Sequence, residues 1–236
     1  MNTRIPLYMT VIHDCSYLPD RDAQNLVIDP EMDLDPLMYD QLLQNGFRRS
    51  GSMIYRPGCP DCTACRSSRV NVEQFKANRS QRRAWNKVQS QLQVKPLKAG
   101  FREEHYALYQ KYTAKRHHDG EMKDSSPQQF MDFLTSEWSH TLFVELHLDS
   151  KLMAIAVTDR QPQSLSALYT FFDPDMASCS PGVVAIMAQI ELAKTWQLPW
   201  LYLGFFIEDC QKMSYKSRYQ PIQLFENNQW TTLNRR

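Results

Sequence analysis

Three cysteines at C-x2-C-x2-C spacing, Cys59, Cys62 and Cys65, constrain the fold of this chain more than any other feature. They stand in a loop rich in proline and glycine, which leads through a short alternating segment into a cluster of arginines. Residues 55–98 contain ten Lys and Arg but only two Asp and Glu, a net charge of +8, and the whole chain carries only +1. A positive segment this concentrated predicts a polyanion-binding surface next to the thiol loop.

Composition excludes several classes of protein. With 236 residues, 42% of them hydrophobic, the chain can bury one large core or two smaller ones. No apolar run approaches the roughly 18 residues of a membrane span, and no basic start is followed by an apolar segment. The six cysteines do not form the pattern of a secreted disulfide framework. We therefore expect a cytoplasmic protein with reduced thiols and no membrane segment.

The N-terminal region, residues 1–98, is predicted to be an α/β region that contains the cysteine loop. Asp35 as N-cap and Pro36 at the first helical position predict a helix over 36–45, which Gly46 ends. The predicted strands are 47–49 and 53–56, which form a hairpin around Ser50-Gly51, and 66–72, which follows the cysteine loop.

The arginine cluster predicts an amphipathic helix. At about 100° per residue, its apolar side consists of Trp85, Val88 and Leu92. The opposite side consists of four cations, Arg79, Arg82, Arg83 and Lys87. A basic helix face is often only solvated, but here almost no carboxylates lie nearby to neutralise it. We therefore expect this face to contact a nucleic-acid phosphate backbone.

The C-terminal region, residues 99–236, is predicted to be a GNAT-like acyltransferase core. Two helices, 101–118 and 127–138, precede three alternating strands at 141–148, 151–159 and 165–172, then a helix at 183–196 and a strand at 200–204. An antiparallel meander followed by a helix and a splayed strand has the order of this fold, in which the splay opens a slot for an acyl donor. The fold class is therefore α+β, with the cysteine-containing α/β region before the core.

Two local features narrow the chemistry of this core. The turn before the helix at 183–196 has a single glycine, Gly182, beside a proline, which is a poor pyrophosphate cradle and favours an acyl donor other than acetyl-CoA. At the end of the helix 101–118, His117 and His118 are adjacent and therefore point apart, which favours an exposed helix end over a metal site.

After the last core strand, cations alternate with aromatic residues. Lys212, Lys216 and Arg218 stand beside Tyr202, Tyr215 and Tyr219. Such a segment suits base stacking and contacts to phosphate or carboxylate groups, with an ordinary amphipathic surface segment as the alternative. A closing hairpin is expected at 225–231.

Four sequence blocks together resemble the bacterial aspartate/glutamate leucyltransferases, short relatives of the arginyl-tRNA–protein transferases. The blocks are CSYLPDR, YRPGCPDCTACRSSRV, FKANRSQRR and YLGFFIEDCQKMSYKSRYQP, in the family's order. The resemblance implies transfer of leucine from leucyl-tRNA to proteins that begin with Asp or Glu, which marks those proteins for degradation. It also implies that the co-substrate is a charged tRNA and that no further cofactor is required.

The resemblance also suggests site residues within these blocks. Tyr215 is the candidate proton relay, and Lys216 is the candidate cation for an oxyanion or a carboxylate. Arg56 and Arg218 are candidates for binding the acidic side chain of the acceptor, because bidentate arginine is the usual partner of a buried carboxylate.

A metal site is a further question that the resemblance raises. The longer relatives have a second cysteine three positions after the one that matches Cys15, and Leu18 occupies that position here. Cys15 and the three loop cysteines would still supply four thiolates for zinc or an iron–sulfur cluster. Packed or redox-active thiols are the alternative, and we expect them rather than a metal.

Other functions remain open at this level. Arginyl-tRNA is the alternative donor, since leucine is assigned only by resemblance to the short bacterial branch. An acyl-CoA-dependent N-acyltransferase would have to bind CoA without the glycine-rich turn. A non-catalytic RNA-binding module on a zinc ribbon would leave the acyltransferase-like core without a role.

Overall fold

The computed structural model describes residues 5–116 and 125–233. Within these residues the strands are β1 (Leu7–Met9), β2 (His13–Asp14), β3 (Asp22–Ala23), β4 (Asn25–Ile28), β5 (Arg48–Ser50), β6 (Met53–Pro57), β7 (Arg66–Asn71), β8 (Leu92–Lys98), β9 (Thr141–Leu148), β10 (Lys151–Arg160), β11 (Ser164–Phe172), β12 (Trp200–Phe206), β13 (Ile222–Glu226) and β14 (Gln229–Thr232). The helices are α1 (Pro36–Gln44), α2 (Arg79–Val88), α3 (Glu103–Arg116), α4 (Pro127–Leu134), α5 (Pro181–Thr195) and α6 (Gln211–Ser214), with 3₁₀ turns at Pro174–Cys179 and Tyr215–Arg218.

The fold is mixed α/β, with a large mixed sheet at its centre. This eight-stranded sheet has the order β14-β13-β7-β12-β11-β10-β9-β8, and only β11 and β12 pair in parallel. A four-stranded sheet, β1-β4-β6-β5, and a two-stranded pair, β2-β3, lie outside it. Strands from both sides of residue 98 share the large sheet, because β7 lies between β12 and β13 and β8 pairs with β9.

The core lies on both faces of the large sheet. On one face α5 packs across β9 to β12, with α2 beside it, through residues such as Val88, Ile190 and Leu203. On the other face α3 and α4 cover β9 to β11, and Phe130 is completely buried there. Beside them, α1 and the four-stranded sheet pack around the buried ring of Tyr202 on β12. The central strands β9 to β12 are therefore covered on both faces.

The parallel strands β11 and β12 diverge soon after they meet. They pair only from Ser164–Ser166 against Trp200–Tyr202, although each strand continues beyond this point. Each strand also has an irregularity, with a register shift in the β10–β11 pair at Val157/Thr158 and in the β12–β7 pair at Tyr202/Gly204. Gly204 has a φ of 77°, a left-handed conformation that side chains rarely adopt. The strands therefore open a gap at their carboxyl ends.

Most predicted elements are confirmed. Asp35 accepts a hydrogen bond from the Met38 amide as N-cap of α1, and Gly46 follows its end with a φ of 82°. The hairpin between β9 and β10 turns through Asp149 and Ser150, which both have positive φ. The last two strands, β13 and β14, form the predicted closing hairpin.

The clearest differences from the prediction are the ends of two helices and one unpredicted strand. The basic helix α2 ends at Val88, and Leu92 starts β8, so its assignment to the helix was wrong. The polar residues between them form a turn that a helical period does not reveal. The next strand, β8, was not predicted, and its Pro96 is tolerated because this strand lies at the sheet edge. Helix α4 ends at Leu134 rather than at residue 138, since Thr135 is extended. His117 and His118 lie outside the described residues.

Candidate aminoacyl-transfer site

Lys216 is buried at the carboxyl end of β12. Its side chain is only 6% exposed, and Nζ donates hydrogen bonds to the Phe205 carbonyl and, at 3.1 Å, to the Met213 Sδ. The segment that carries it turns back onto the strand that it has just left, through α6 and the 3₁₀ turn Tyr215–Arg218. A Cβ at Gly204 would lie 3.9 Å from Nζ, so the ammonium sits directly over the bulge in β12.

The environment of Lys216 disfavours its charged form. Burial, and then the neighbouring cation Arg48, lower the pKa of Lys216 to about 8, against smaller opposing effects of Cys210 and Cys65. Among the described residues no carboxylate forms an ion pair with it. Lys216 is therefore a cation that is easily deprotonated and that lacks a counter-ion in the described part of the chain.

Tyr215 faces outward next to Lys216 and is 39% exposed. Burial of its phenol and the nearby Tyr112 raise the pKa of Tyr215, so the hydroxyl stays protonated at neutral pH. Tyr112 on α3 packs on Phe172, the last residue of β11, with ring centroids 4.9 Å apart. Tyr215 and Lys216 therefore lie beside the opening between β11 and β12.

Two of the three predicted tyrosines in this segment are core residues instead. Tyr202 is fully buried under α1, and Tyr219 is 2% exposed and stacks with Phe75. The prediction that they present a stacking surface was therefore wrong for both. Alternation of cations and aromatic rings in a sequence does not show which rings turn inward.

The two predicted carboxylate-binding arginines occupy different places. Arg56 is half-buried, donates to the Asn45 carbonyl at 3.2 Å and lies 5.1 Å over the Phe47 ring. It lines a cleft of about 640 Å³ between the cysteine loop and the end of β12, where Phe205 is part of the wall. Arg218 is exposed, and its backbone carbonyl accepts hydrogen bonds from α2. Arg56 is therefore brought near Lys216, whereas Arg218 lies on the side of the basic helix.

Helix α2 connects two parts of this site. At its start, the side chains of Asn78 and Gln81 donate to the Arg218 carbonyl at 3.3 and 3.1 Å. Near its end, Lys87 Nζ donates to the Ser178 carbonyl at 2.9 Å, three residues before the first residue of α5. The helix thus spans from the Lys216 segment to the loop that follows β11.

The basic face of α2 is as predicted. Its four cations, Arg79, Arg82, Arg83 and Lys87, are all exposed, and none forms a salt bridge within the described residues. Arg82 donates to the backbone carbonyl of Ala77, and the opposite face packs Trp85 and Val88 into the core. The unneutralised face is suited to phosphate groups.

Cys65 lies near Lys216 and near the other three candidate cysteines. Burial and then the thiols of Cys59, Cys15 and Cys62 raise the pKa of Cys65 to about 12, so this thiol is protonated at neutral pH. Over residues 5–116 and 125–233, no three His, Cys, Asp or Glu side chains form a group that could hold a metal ion. These thiols as they stand do not fit a zinc site or an iron–sulfur cluster.

Sequence reasoning missed a pair of buried arginines on β5. Arg49 binds Asp159 on β10 and ties the N-terminal region to the large sheet. Arg48, its neighbour, points the other way and has no carboxylate partner among the described residues. The signal was present in the sequence, since two consecutive arginines in a short strand put at least one of them on a buried face.

Across the described residues, no helix combines the length and apolar character that a membrane crossing requires.

Comparison with known proteins covers almost the whole chain. The family model "Arginine-tRNA-protein transferase, N terminus" matches residues 13–83, and "Arginine-tRNA-protein transferase, C terminus" matches residues 104–226. A protein of Hahella chejuensis named aspartate/glutamate leucyltransferase is 47% identical, over 96% of both chains. A protein of the same name from Saccharophagus degradans is 45% identical, over 97% of both chains. A solved DUF2156 domain from Agrobacterium fabrum has a TM-score of 0.48 and 12% identity, over 61% of this chain and 47% of its own.

Proposed function

The chain belongs to the arginine-tRNA–protein transferase family, and we propose that it is an aspartate/glutamate leucyltransferase. In this reaction leucine is joined from leucyl-tRNA to the N-terminus of proteins that begin with Asp or Glu, which creates a signal for their degradation. The observation that carries the proposal is the 47% and 45% identity, over nearly full length, to relatives with that name. Charged tRNA is a cytoplasmic substrate, so the reaction belongs in the cytoplasm.

A GNAT-like core provides the framework for the reaction. The element order β9, β10, β11, α5, β12 supports it, together with the parallel pair that separates after three residues. At the start of α5, Ser180 is left-handed, makes no side-chain cap and precedes Pro181. This is not a glycine-rich pyrophosphate cradle, so the opening is better suited to a donor held by other contacts.

Transfer RNA is the donor that the charge distribution supports. The exposed cations of α2 lie on a helix that reaches from the Tyr215–Arg218 turn to the Ser178 carbonyl before α5. Phosphates bound along this face would deliver the aminoacylated 3′ end to the opening between β11 and β12. Arg79, Arg82, Arg83 and Lys87 therefore bind the tRNA backbone, without reading its sequence.

The chemistry is an aminolysis of an ester. The acceptor's α-amine has a pKa of about 7.7–8.0, so an appreciable fraction is neutral near pH 7 without a strong base. Its nitrogen attacks the leucyl carbonyl carbon, a C–N bond forms, and the ester C–O bond to the ribose breaks. The amine loses one proton and the leaving ribose oxygen gains one, so the step balances without ATP, CoA or another cofactor.

Tyr215 and Lys216 are the proposed catalytic residues. The protonated phenol of Tyr215 stands beside the opening and relays a proton to the ribose oxygen. The Lys216 ammonium stabilises negative charge, either on the tetrahedral oxyanion or on the acceptor's carboxylate. Of the two predicted arginines, Arg56 lines the neighbouring cleft and contacts the acidic acceptor peptide, whereas Arg218 is exposed beside α2.

Transfer of radiolabelled leucine tests the proposal. Purified protein is incubated with leucyl-tRNA and peptides that differ only in a first residue of Asp, Glu or Ala. Label should appear on the Asp and Glu peptides, without added ATP or CoA, and the Ala peptide should be a poor acceptor. If arginyl-tRNA reacts much better than leucyl-tRNA, the donor assignment is wrong. If label is transferred only from acyl-CoA, the proposed reaction class is wrong.

A further inference from the structure

Arg48 is a buried arginine whose charge the described residues leave without a carboxylate. It is 5% exposed, and its Nη1 donates to the carbonyls of Leu43, at 3.4 Å, and Phe47. Its Nη2 donates to the Ser68 carbonyl at 3.3 Å, and its Nε has no hydrogen-bond partner. A buried guanidinium without a counter-ion is unfavourable, and an unused Nε–H adds to that penalty.

The neighbouring Arg49 shows how this chain satisfies a buried arginine. Its Nε and Nη2 donate side by side to the two carboxylate oxygens of Asp159, at 2.6 and 2.7 Å. This edge of the guanidinium is the one that binds a carboxylate through two parallel bonds. In Arg48 the corresponding edge has an unpartnered Nε and a long bond from Nη2. Arg48 therefore lacks the anion that Arg49 has.

Capping of α1 explains only part of the Arg48 side chain. The Leu43 carbonyl lies in the last turn of α1, where a cation is favourable, and it accepts from Nη1. Contact of the guanidinium with the Tyr202 ring, 4.8 Å from its centroid, holds the plane of the group. Neither contact uses Nε. The structural role is therefore compatible with a second partner on the free edge.

Lys216 places a second buried cation at the same point. The Ser68 carbonyl that accepts from Arg48 belongs to the β7 residue that pairs with Gly204, and Lys216 Nζ lies over Gly204. The two charges interact, since Arg48 lowers the pKa of Lys216. The other titratable groups that act on Lys216 are the thiols of Cys210 and Cys65, which are neutral when protonated. Two buried cations thus lie close together without an ion-pair partner among the described residues, and Arg69 adds a further positive charge that acts on Arg48.

The cleft lined by Arg56 lies next to this position. Its wall includes Gly46, Ser67 and Phe205. Gly46 and Ser67 directly precede Phe47 and Ser68, whose carbonyls accept hydrogen bonds from Arg48. The Phe205 carbonyl accepts a hydrogen bond from Lys216. The cations therefore lie directly behind the wall of a cleft of about 640 Å³, large enough for the first residue of a peptide.

We propose that Arg48, together with Lys216, binds the side-chain carboxylate of the acceptor's N-terminal Asp or Glu. The inference rests on the proposed function and adds Arg48 as the residue that determines acceptor specificity. The carboxylate accepts from the unpartnered Nε of Arg48 and from Nη2, in place of the long bond from Nη2 to the Ser68 carbonyl, as Asp159 accepts from Nε and Nη2 of Arg49. Lys216 adds a point charge. Arg56 meets the peptide at the mouth of the cleft.

The test compares peptides that begin with Asp and with Asn and are otherwise identical. At saturating leucyl-tRNA, Arg48→Met should lower kcat/KM for the Asp peptide by about 10- to 150-fold, the range for lost hydrogen bonds to a charged group. The Asn peptide should be nearly unaffected. Arg48→Lys keeps the charge without the two-bond edge, so it should fall between Arg48→Met and wild type.

Arg69→Met is the matched control. Arg69 stacks on the rings of Trp200 and Trp230, its Nη1 donates to the Tyr202 hydroxyl at 3.4 Å, and its Nε donates to Gln223 at 2.9 Å. Its loss should leave the ratio of Asp to Asn activity at the wild-type value. A second readout is thermal unfolding of the wild-type protein, which the Asp peptide should stabilise more than the Asn peptide.

The outcomes separate this inference from the proposed function. If the wild-type protein transfers no leucine to the Asp peptide, the proposed function fails. If it does transfer leucine but Arg48→Met and Arg48→Lys both keep the wild-type Asp-to-Asn ratio, the assignment of Arg48 is overturned. Where Arg48→Met does not fold, Arg48→Lys and the peptide-dependent unfolding of the wild type decide, and equal stabilisation by both peptides rejects the site.

Discussion

Replacing Arg82 and Arg83 with Ala should weaken tRNA binding in a manner that depends on salt. Both side chains are exposed on α2, and neither forms a salt bridge within residues 5–116 and 125–233. An arginine that is free of carboxylates keeps its full charge for a phosphate. Each phosphate contact contributes about 0.9 to the slope of log affinity against log salt on a duplex. Losing two contacts should therefore reduce the slope by about 1.8.

This slope gives a measurable difference in affinity. Between 50 and 200 mM salt, a change of about 1.8 in slope corresponds to about 12-fold in affinity. The wild-type protein should therefore lose about 12-fold more affinity than the variant over that range. Filter binding or fluorescence anisotropy of leucyl-tRNA at four or five salt concentrations measures both slopes.

A charge-matched control comes from the same positive segment. Lys95 and Lys98 are exposed on β8, at the edge of the large sheet farthest from β14. If tRNA binds the face of α2, Lys95→Ala with Lys98→Ala should leave the slope nearly unchanged. Equal slopes for the two double variants would refute a specific role of α2, because total charge alone would then explain binding. An unchanged slope in the Arg82 and Arg83 variant would mean that its face is only solvated.

Three further predictions concern stability and the thiols. Arg49→Met should lower the free energy of unfolding by about 3–5 kcal/mol, because it leaves Asp159 charged and buried without its partner. The melting temperature, followed by circular dichroism, should then fall by about 6–20 °C. A loss of less than about 1 kcal/mol would show that the ion pair is unimportant for stability. The pKa of Lys216 is about 8 in the folded state against 10.5 when unperturbed, so the folded protein releases this proton first and stability rises from pH 8 to 10.5. Denaturant titrations should show that Lys216→Met loses this rise. Cys59→Ala should lower leucine transfer by loosening the cysteine loop, and full activity of both Cys59→Ala and Cys62→Ala would contradict that role. Elemental analysis of the fully active protein tests for a metal, and a zinc and iron content near zero would exclude one.

Much of the fold could be predicted because several of its elements have clear sequence patterns. The strands of the meander from β9 to β11 are eight to ten residues long and rich in apolar residues, and α2 shows one apolar and one basic side over ten residues. Strand β8 was missed although residues 92–95 alternate between apolar and polar, because Leu92 also fits the apolar side predicted for α2. The pairing of β7 with both β12 and β13 was also hidden, since alternation gives a strand's faces but not its neighbours.

The candidate site was predictable only in part, for a related reason. Lys216 and Tyr215 stand in a distinctive segment, so residue type and position were enough to single them out. Arg48 and Arg49 are adjacent and look alike in sequence, but their roles depend on a partner 110 residues away that only one of them has. Asp159 pairs with Arg49 and gives it a structural role, whereas Arg48 has no such partner and stays available to a substrate. No local sequence pattern shows which arginine a distant carboxylate will bind.

Buried cations without a partner also explain how an acidic acceptor could be selected without a repulsive element. Arg48 and Lys216 weaken the folded state as long as they lack an anion, because both are removed from water. An Asp or Glu side chain supplies the missing charge and accepts the unused Nε–H, whereas Asn has the same shape but leaves both cations uncompensated. The enzyme then prefers Asp over Asn because only Asp relieves the cost of the two buried, unpaired cations. A site built to bind a polar group strongly rejects a substrate that lacks this group, since the buried partners then stay unpaired. On this reasoning, replacing Arg48 should broaden the acceptor range as well as slow the reaction with Asp.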